Sequence, residues 1–282
     1  MGSGWTIDSV SASDHVIESA AALANLMTIV GRVAQDLYIF SSQEFGMIDV
    51  TDAFASPSSL MPQKKNALVL EYIRSRTART IGTLTASAAV MHNVGYMDTE
   101  EVEIETYRPL FNAFTLVDEA LPTMNALLAA MQPNRELMRQ RAAAGFSSVT
   151  ALAEAIQTRE KISYRTAHRI VARTVLLAVE AGKDATGIDA QLLNQAAIEM
   201  LGRPLSLDDE TISRSLDPQQ FVTAHAVTGG TAPAEVRRMA SARRAPLQRD
   251  QAAVSERRDR IAAANRNLRA AVSNLLARGG AA

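Results

Sequence analysis

The chain has 282 residues, 47% of them hydrophobic and 21% charged, with a formal net charge of −1. That balance supports a sizeable core in one large or two modest domains, and the near-neutral charge gives no general attraction to nucleic acid or an anionic membrane. With no cysteine and only four scattered histidines (His15, His92, His168 and His225), disulfides and cysteine nucleophiles are excluded, and neither a metal nor a cofactor is expected.

The first long element is set by Val16, Ala20, Leu23, Met27, Val30, Ala34 and Leu37, which recur at alternating steps of four and three. The spacing predicts a straight helix with a heptad-like seam, capped by Ser13 or Asp14. Further apolar residues (Ile17, Ala21, Ala24, Leu26, Ile29 and Ile39) surround the seam. No stretch reaches about 18 uninterrupted apolar residues, and the opening lacks a signal-peptide pattern, so a soluble, cytoplasmic protein with no membrane partner is expected. A second helical run starts at Asn66 and passes through Leu70, Ile73, Thr77, Ile81 and Leu84 to about Val90. A third follows Pro109 with Phe111, Phe114, Val117, Leu121, Met124 and Leu128, and Pro122 is expected to kink it. Three helices apolar on most sides cannot enclose one another within one chain, so partner subunits are expected to complete the bundle.

After "MQPNREL" (131–137) the elements shorten, punctuated by "AGFSS" (144–148), "REKISY" (159–164), "EAGKDATG" (180–187) and "LGRPLSLDD" (201–209). These breaks predict two domains, 1–140 and 141–282. From about Ala234 the chain is rich in arginine. Interspersed Asp250, Glu256 and Asp259 make that stretch a solvated helix, with nucleic-acid contact as the alternative reading.

One loop stands apart: Pro57-Ser58-Ser59-Leu60-Met61-Pro62-Gln63-Lys64-Lys65-Asn66. It resembles the Gly-Ser-Ser-x-Met-Pro-x-Lys-x-Asn signature of the fumarase, aspartase and argininosuccinate lyase superfamily at every position but the first, where proline replaces glycine. The Gln-Lys-Lys-Asn ending resembles the argininosuccinate lyase branch. "SSQEFGMIDVTDAFASPSS" (41–59), "ISYRTAHRIVARTV" (162–175) and "GGTAPAEVR" (229–237) are similar to further stretches of those enzymes. His168, inside the second of these, reads as a packing residue.

The resemblance implies an all-α fold: a long-helix bundle of the fumarase/aspartase type, with the signature loop at 56–66, plus a smaller helical C-terminal domain. It implies a homotetrameric lyase of amino-acid metabolism that eliminates an amine from an N-substituted aspartate to give fumarate. In the family the first serine of the pair takes the proton next to a carboxylate, a role that falls on Ser58. Ser59, Lys64 and Asn66 would contact the substrate. A serine hydroxyl can act as such a base only where cations and backbone N–H groups stabilise the alkoxide. Lys64 and the start of the following helix are expected to do so.

Two departures set further expectations. The family builds each site from three regions of different subunits, one carrying a Thr-x-x-His motif that is absent from these 282 residues. The chain therefore reads as a C-terminal portion: a fragment, a truncated frame or one half of a split enzyme whose N-terminal half is another chain. It is expected to be inactive alone. In addition, the family's Tyr-Asn-x-Asp-x-Gln-Glu-x-Lys-like stretch corresponds to "GYMDTEEVE" (95–103). Glu100 stands at the glutamine and Glu103 at the lysine, with Gly95 or Tyr96 at the tyrosine; Ser13 replaces an arginine near the start of the first helix. The leading reading is a carbon–nitrogen lyase of the argininosuccinate lyase type. The alternatives are an incomplete member acting as an oligomeric helical scaffold, and a helical partner-binding module whose loop is a relic.

Overall fold

The computed structural model describes residues 11–58, 60–61 and 65–279. The chain divides into two compact units, Met1–Gln140 and Arg141–Ala282, and the fold is all-α, apart from four strands of two residues each among the described residues.

In the first unit three long helices pack together: α1 (Asp14–Phe40), α2 (Leu68–Met91) and α3 (Arg108–Ala130). Tyr38 near the end of α1 hydrogen-bonds Glu71 near the start of α2, and the Thr77 hydroxyl donates to the Met27 carbonyl, so α1 and α2 run antiparallel. Gly31 permits this approach, because a Cβ there would lie 2.8 Å from the Thr77 side chain. The predicted seam of α1 faces inward: Val16, Ala20, Leu23, Met27, Ala34 and Leu37 are buried, and half-buried Val30 packs against the core. By length and composition α1 could cross a bilayer, but here its seam is packed on α3 residues Leu110, Ala113, Val117 and Ala120.

Two expectations are corrected, the start of the second helix and the inner face of the third. The second helix begins at Leu68, and Asn66 belongs to a short strand before it. α3 runs on through Pro122 as one helix. Its inner face is Leu110, Ala113, Leu116, Val117, Ala120, Met124 and Leu127, while Phe111, Phe114, Leu121 and Leu128 lie outside. Small alanines let the helices approach, which leaves the bulky phenylalanines on the outer stripe.

Two short antiparallel pairs accompany the bundle. β1 (Ile48–Asp49) joins β4 (Gln132–Pro133). β2 (Ser56–Pro57) joins β3 (Lys65–Asn66), with Ser56 opposite Asn66 and Pro57 opposite Lys65.

In the second unit, α5 (Val149–Glu160), α6 (Tyr164–Glu180), α7 (Ala190–Leu201), α8 (Asp209–Leu216) and α9 (Pro218–Ala224) follow α4 (Arg135–Ala144), which crosses the boundary; α10 (Pro233–Gly279) ends the chain. Leu152, Ile156, Ile170, Leu193 and Ile212 centre its core. Four of these helices, α6 to α9, start on side-chain caps, whereas α5 has none: Ser163 accepts from the Thr166 N–H, Asp189 from Leu192, Asp208 from Thr211 and Asp217 from Gln219. The three long helices of the first unit have no such cap bond. A short helix depends more on satisfied ends, whereas a long one is held by its stripe. The Gly-Gly-Thr-Ala-Pro turn is shaped the same way: the Gly229 N–H donates to Glu235, and a Cβ on Gly230 would strike the His225 carbonyl at 2.1 Å.

Candidate active site

The β2–β3 pair makes the signature stretch a hairpin loop whose neck is Pro57 and Lys65. Proline at the neck is tolerable because an edge ladder of two residues does not require its missing N–H. Just inside the neck, half-buried Ser58 has an Oγ that accepts from the N–H groups of Leu60 (3.2 Å) and Met61 (3.1 Å). Two backbone donors on one hydroxyl oxygen favour negative charge there. Leu60 is 88% exposed, and Met61 also faces solvent. Half-buried Asn66 sits on β3, one residue before the uncapped N-cap Ala67 of α2. Ser59 and Lys64 lie outside the described residues.

Lys65, the second lysine of the loop, is engaged elsewhere. Its Nζ lies 2.9 Å from both Asp49 and Asp52. Hydrogen bonds to those two carboxylates hold its ammonium above the usual lysine range. This cation fastens the hairpin to β1 and the turn after it. Sequence reasoning passed over that role, although the acids of "IDVTD" just upstream were the available signal.

A second feature lies at the opposite end of α2. A cleft of about 440 Å³ is bounded by Ser13, Asp14 and His15 from the start of α1, by Met91 and His92 from the end of α2, and by Gly95–Thr99, Val102, Glu103 and Tyr107. Of the positions expected to depart from the family pattern, Ser13 and Glu103 line it, as do Gly95 and Tyr96, the two candidates for the tyrosine position, whereas Glu100 does not. The Tyr107 hydroxyl is 3.0 Å from His15 Nε2. Residues Glu103–Tyr107 form a π-helical turn, an irregularity that in helices often accompanies a functional site. Since α2 has 24 residues, about 36 Å separates the two features along it. The structure therefore does not bring the loop and the 95–103 stretch into one site within a chain.

A larger groove of about 720 Å³ lies in the second unit, lined by Glu154, Arg159, Arg214 and Phe221 among others, and holds none of the predicted site residues. Among the described residues no group of three or more His, Asp or Glu is placed to hold a metal. His168 is exposed, with its ring 6.1 Å from Tyr164, so the packing role expected for it reduces to a surface ring contact.

Comparison with known proteins gives two family-model matches: a lyase model over residues 3–82, which includes the hairpin, and an argininosuccinate lyase C-terminal model over residues 146–223. The argininosuccinate lyase of Methanothermobacter thermautotrophicus is 33% identical over 232 residues, covering 82% of this chain and 49% of that protein. That of Alkalilimnicola ehrlichii is 36% identical over 239 residues, with 84% and 49% covered. Among solved structures, an EDDS lyase variant with bound fumarate matches at 32% identity and a TM-score of 0.80, covering 87% of this chain and 49% of that one. A class II fumarase from Schistosoma mansoni, 17% identical with a TM-score of 0.60 over 77% of this chain and 41% of its own, shares the fold. The chain spans about half the length of the curated relatives it matches. It belongs to the argininosuccinate lyase-like branch of the fumarase/aspartase (fumarate lyase) superfamily.

Proposed function

We propose that this chain is part of a carbon–nitrogen lyase of the argininosuccinate lyase type that releases fumarate from an N-substituted aspartate. The observation that carries the reading is the Ser58 hydroxyl held at the neck of the signature hairpin under two backbone N–H donors. In this reading the Ser58 alkoxide takes the proton from the carbon beside a carboxylate. The electron pair is delocalised into that carboxylate, then re-forms as the C=C bond while the C–N bond breaks with its bonding pair passing to nitrogen. A proton supplied on the leaving-group side, the role the family gives to its Thr-x-x-His region, lets the nitrogen depart as a neutral amine. Lys64 and Ser59 bind the carboxylate as it gains charge, and Asn66 holds the substrate beside them. The fumarate bound by the EDDS lyase variant supports the product assignment.

A single chain does not suffice for this chemistry. About 36 Å of helix lies between loop and cleft, so each would serve a different site in an oligomer, which we propose to be a cytoplasmic homotetramer. Apolar residues left outside the three-helix bundle, such as Ile29 (58% exposed) and Phe111 (64% exposed), supply faces for that assembly. The region with the Thr-x-x-His motif would come from residues outside these 282 or from another chain. Sedimentation at micromolar concentration tests the assembly, and a monomer with full helicity contradicts it.

A second reading, an oligomeric scaffold without turnover, is favoured by one observation: two of the positions expected to depart from the family, Ser13 and Glu103, gather in one cleft. Assaying fumarate release from a panel of N-substituted aspartates, with the 282-residue chain alone and with any upstream-encoded partner, separates the two. Release with the partner supports the lyase. Silence from the whole panel under both conditions supports the scaffold.

A further inference from the structure

The arginine-rich helix α10 carries a pattern that the charge run conceals. Leu247, Val254, Ile261, Leu268 and Leu275 follow one another at a strict spacing of seven, and each is between 47% and 67% exposed. Four consecutive heptads of this kind, about 42 Å of helix, set one apolar residue per heptad in a line along α10, a seam that a partner helix can cover. The stripe is one residue wide up to Leu268, widens only at its end through Val272 and Leu276, and lacks aromatic residues, unlike the broad apolar face of a helix lying in a membrane interface.

We infer that this seam pairs antiparallel with the same helix of a second copy of the chain, with the two-fold axis at Ile261. The seam is self-complementary. Turning the helix end for end about Ile261 sets Leu247 opposite Leu275 and Val254 opposite Leu268. It also sets Arg257 and Arg258, which flank the middle of the seam, opposite Asn265 and Ala264, whose small side chains leave room for the arginine stems. A parallel pairing would instead stack Arg257 on Arg257 and Arg258 on Arg258, a like-charge contact repeated at the centre of the interface. Eleven arginines against four acids in α10 make the register sensitive to this difference. The interface is isologous and closes on two copies. It rests on α10 alone and does not depend on the lyase reading.

Because the chain has no cysteine, single substitutions in the full chain give single thiols for a short bis-maleimide. Ile261→Cys is expected to cross-link most of the chain into a covalent dimer. Leu247→Cys and Leu275→Cys should each stay uncrosslinked alone and cross-link when mixed. Adding Val254→Asp to Ile261→Cys should reduce the dimer to background with helicity unchanged, since Val254 is solvent-facing in one chain. Efficient self-cross-linking of Leu247→Cys would overturn the antiparallel register. An Ile261→Cys chain that fails to cross-link, while the unmodified chain binds a synthetic acidic heptad peptide, anionic vesicles or duplex DNA, would give the seam to another occupant and overturn the assignment.

Discussion

The two ends of α2 differ in what they retain. At the start of the helix the hairpin matches the family signature at six of its seven specified positions, and its neck, its Ser58 donors and its Lys65 anchor form one compact device. At the far end, the cleft is lined by Ser13 and Glu103, where the family resemblance leads one to expect an arginine and a lysine. The contrast separates two demands on such a site. Taking a proton beside a carboxylate imposes the same geometry whatever the amine is, so the proposed chemical end tolerates little change. Recognising the distal end of the substrate is a matter of charge and shape, and there the sequence is free to diverge.

The largest expected effect lies at the hairpin end. Lys64→Ala in an active assembly should cost on the order of 4 kcal/mol, about a thousandfold in kcat, because the lost charge acts on the transition state. An effect confined to KM would move Lys64 from chemistry to simple binding. At the cleft end, argininosuccinate should be a poor substrate, since its distal carboxylate meets Glu103. Changing Glu100→Gln together with Glu103→Lys should raise its kcat/KM by roughly 30- to 5,000-fold, the worth of converting one desolvated repulsion into an ion pair. As Glu103 lines the cleft and Glu100 does not, Glu103→Lys alone should deliver most of the gain. No gain from either change would show that charge at this end does not select the substrate.

A smaller effect concerns the second unit's frame. Glu160, with its side chain 6% exposed, accepts from the Ser206 N–H and hydroxyl and from Arg203. The Ser206 N–H first, then Arg203, lower its carboxyl from 4.5 to about 2. A depressed carboxyl pKa stabilises the folded state fully above the unfolded value and loses that contribution as pH falls towards the folded one. Glu160→Gln should therefore destabilise the protein by about 1.5–3 kcal/mol at neutral pH. The gap to the parent in thermal melts should close between about pH 4.5 and 2. A gap that stayed constant across that window would assign the loss to packing. The smallest effect is expected from Lys65→Met: its partners Asp49 and Asp52 are largely exposed, so the pair contributes about 0–1 kcal/mol by chemical denaturation.

Much of the fold was legible because a helix has only one way to present a periodic stripe. The seam of α1 was readable from Val16 to Leu37, and "AGFSS", "EAGKDATG" and "LGRPLSLDD" fall where helices of the second unit end and begin. The inner face of α3 was legible only in part: of the expected stripe, Val117 and Met124 are buried. Two apolar stripes run side by side on it, and the larger side chains, Phe111 and Phe114, point outward. Size draws the eye, but Ala113 and Ala120 are what let α3 approach α1. The hairpin motif could be recognised because its residues are contiguous. The cleft could not, since it is assembled from Ser13, His92 and Glu103, which only the antiparallel packing of the helices brings together. The heptads of α10 were hidden by the arginines between them.

The central claim is that Ser58 takes the proton. Its most direct test is fumarate release, followed by ultraviolet absorbance, from a complete assembly carrying Ser58→Ala. The account predicts that the variant keeps its helicity and its oligomeric state, still binds fumarate, and releases none from an N-substituted aspartate. Turnover near the parent's rate from that variant would contradict it.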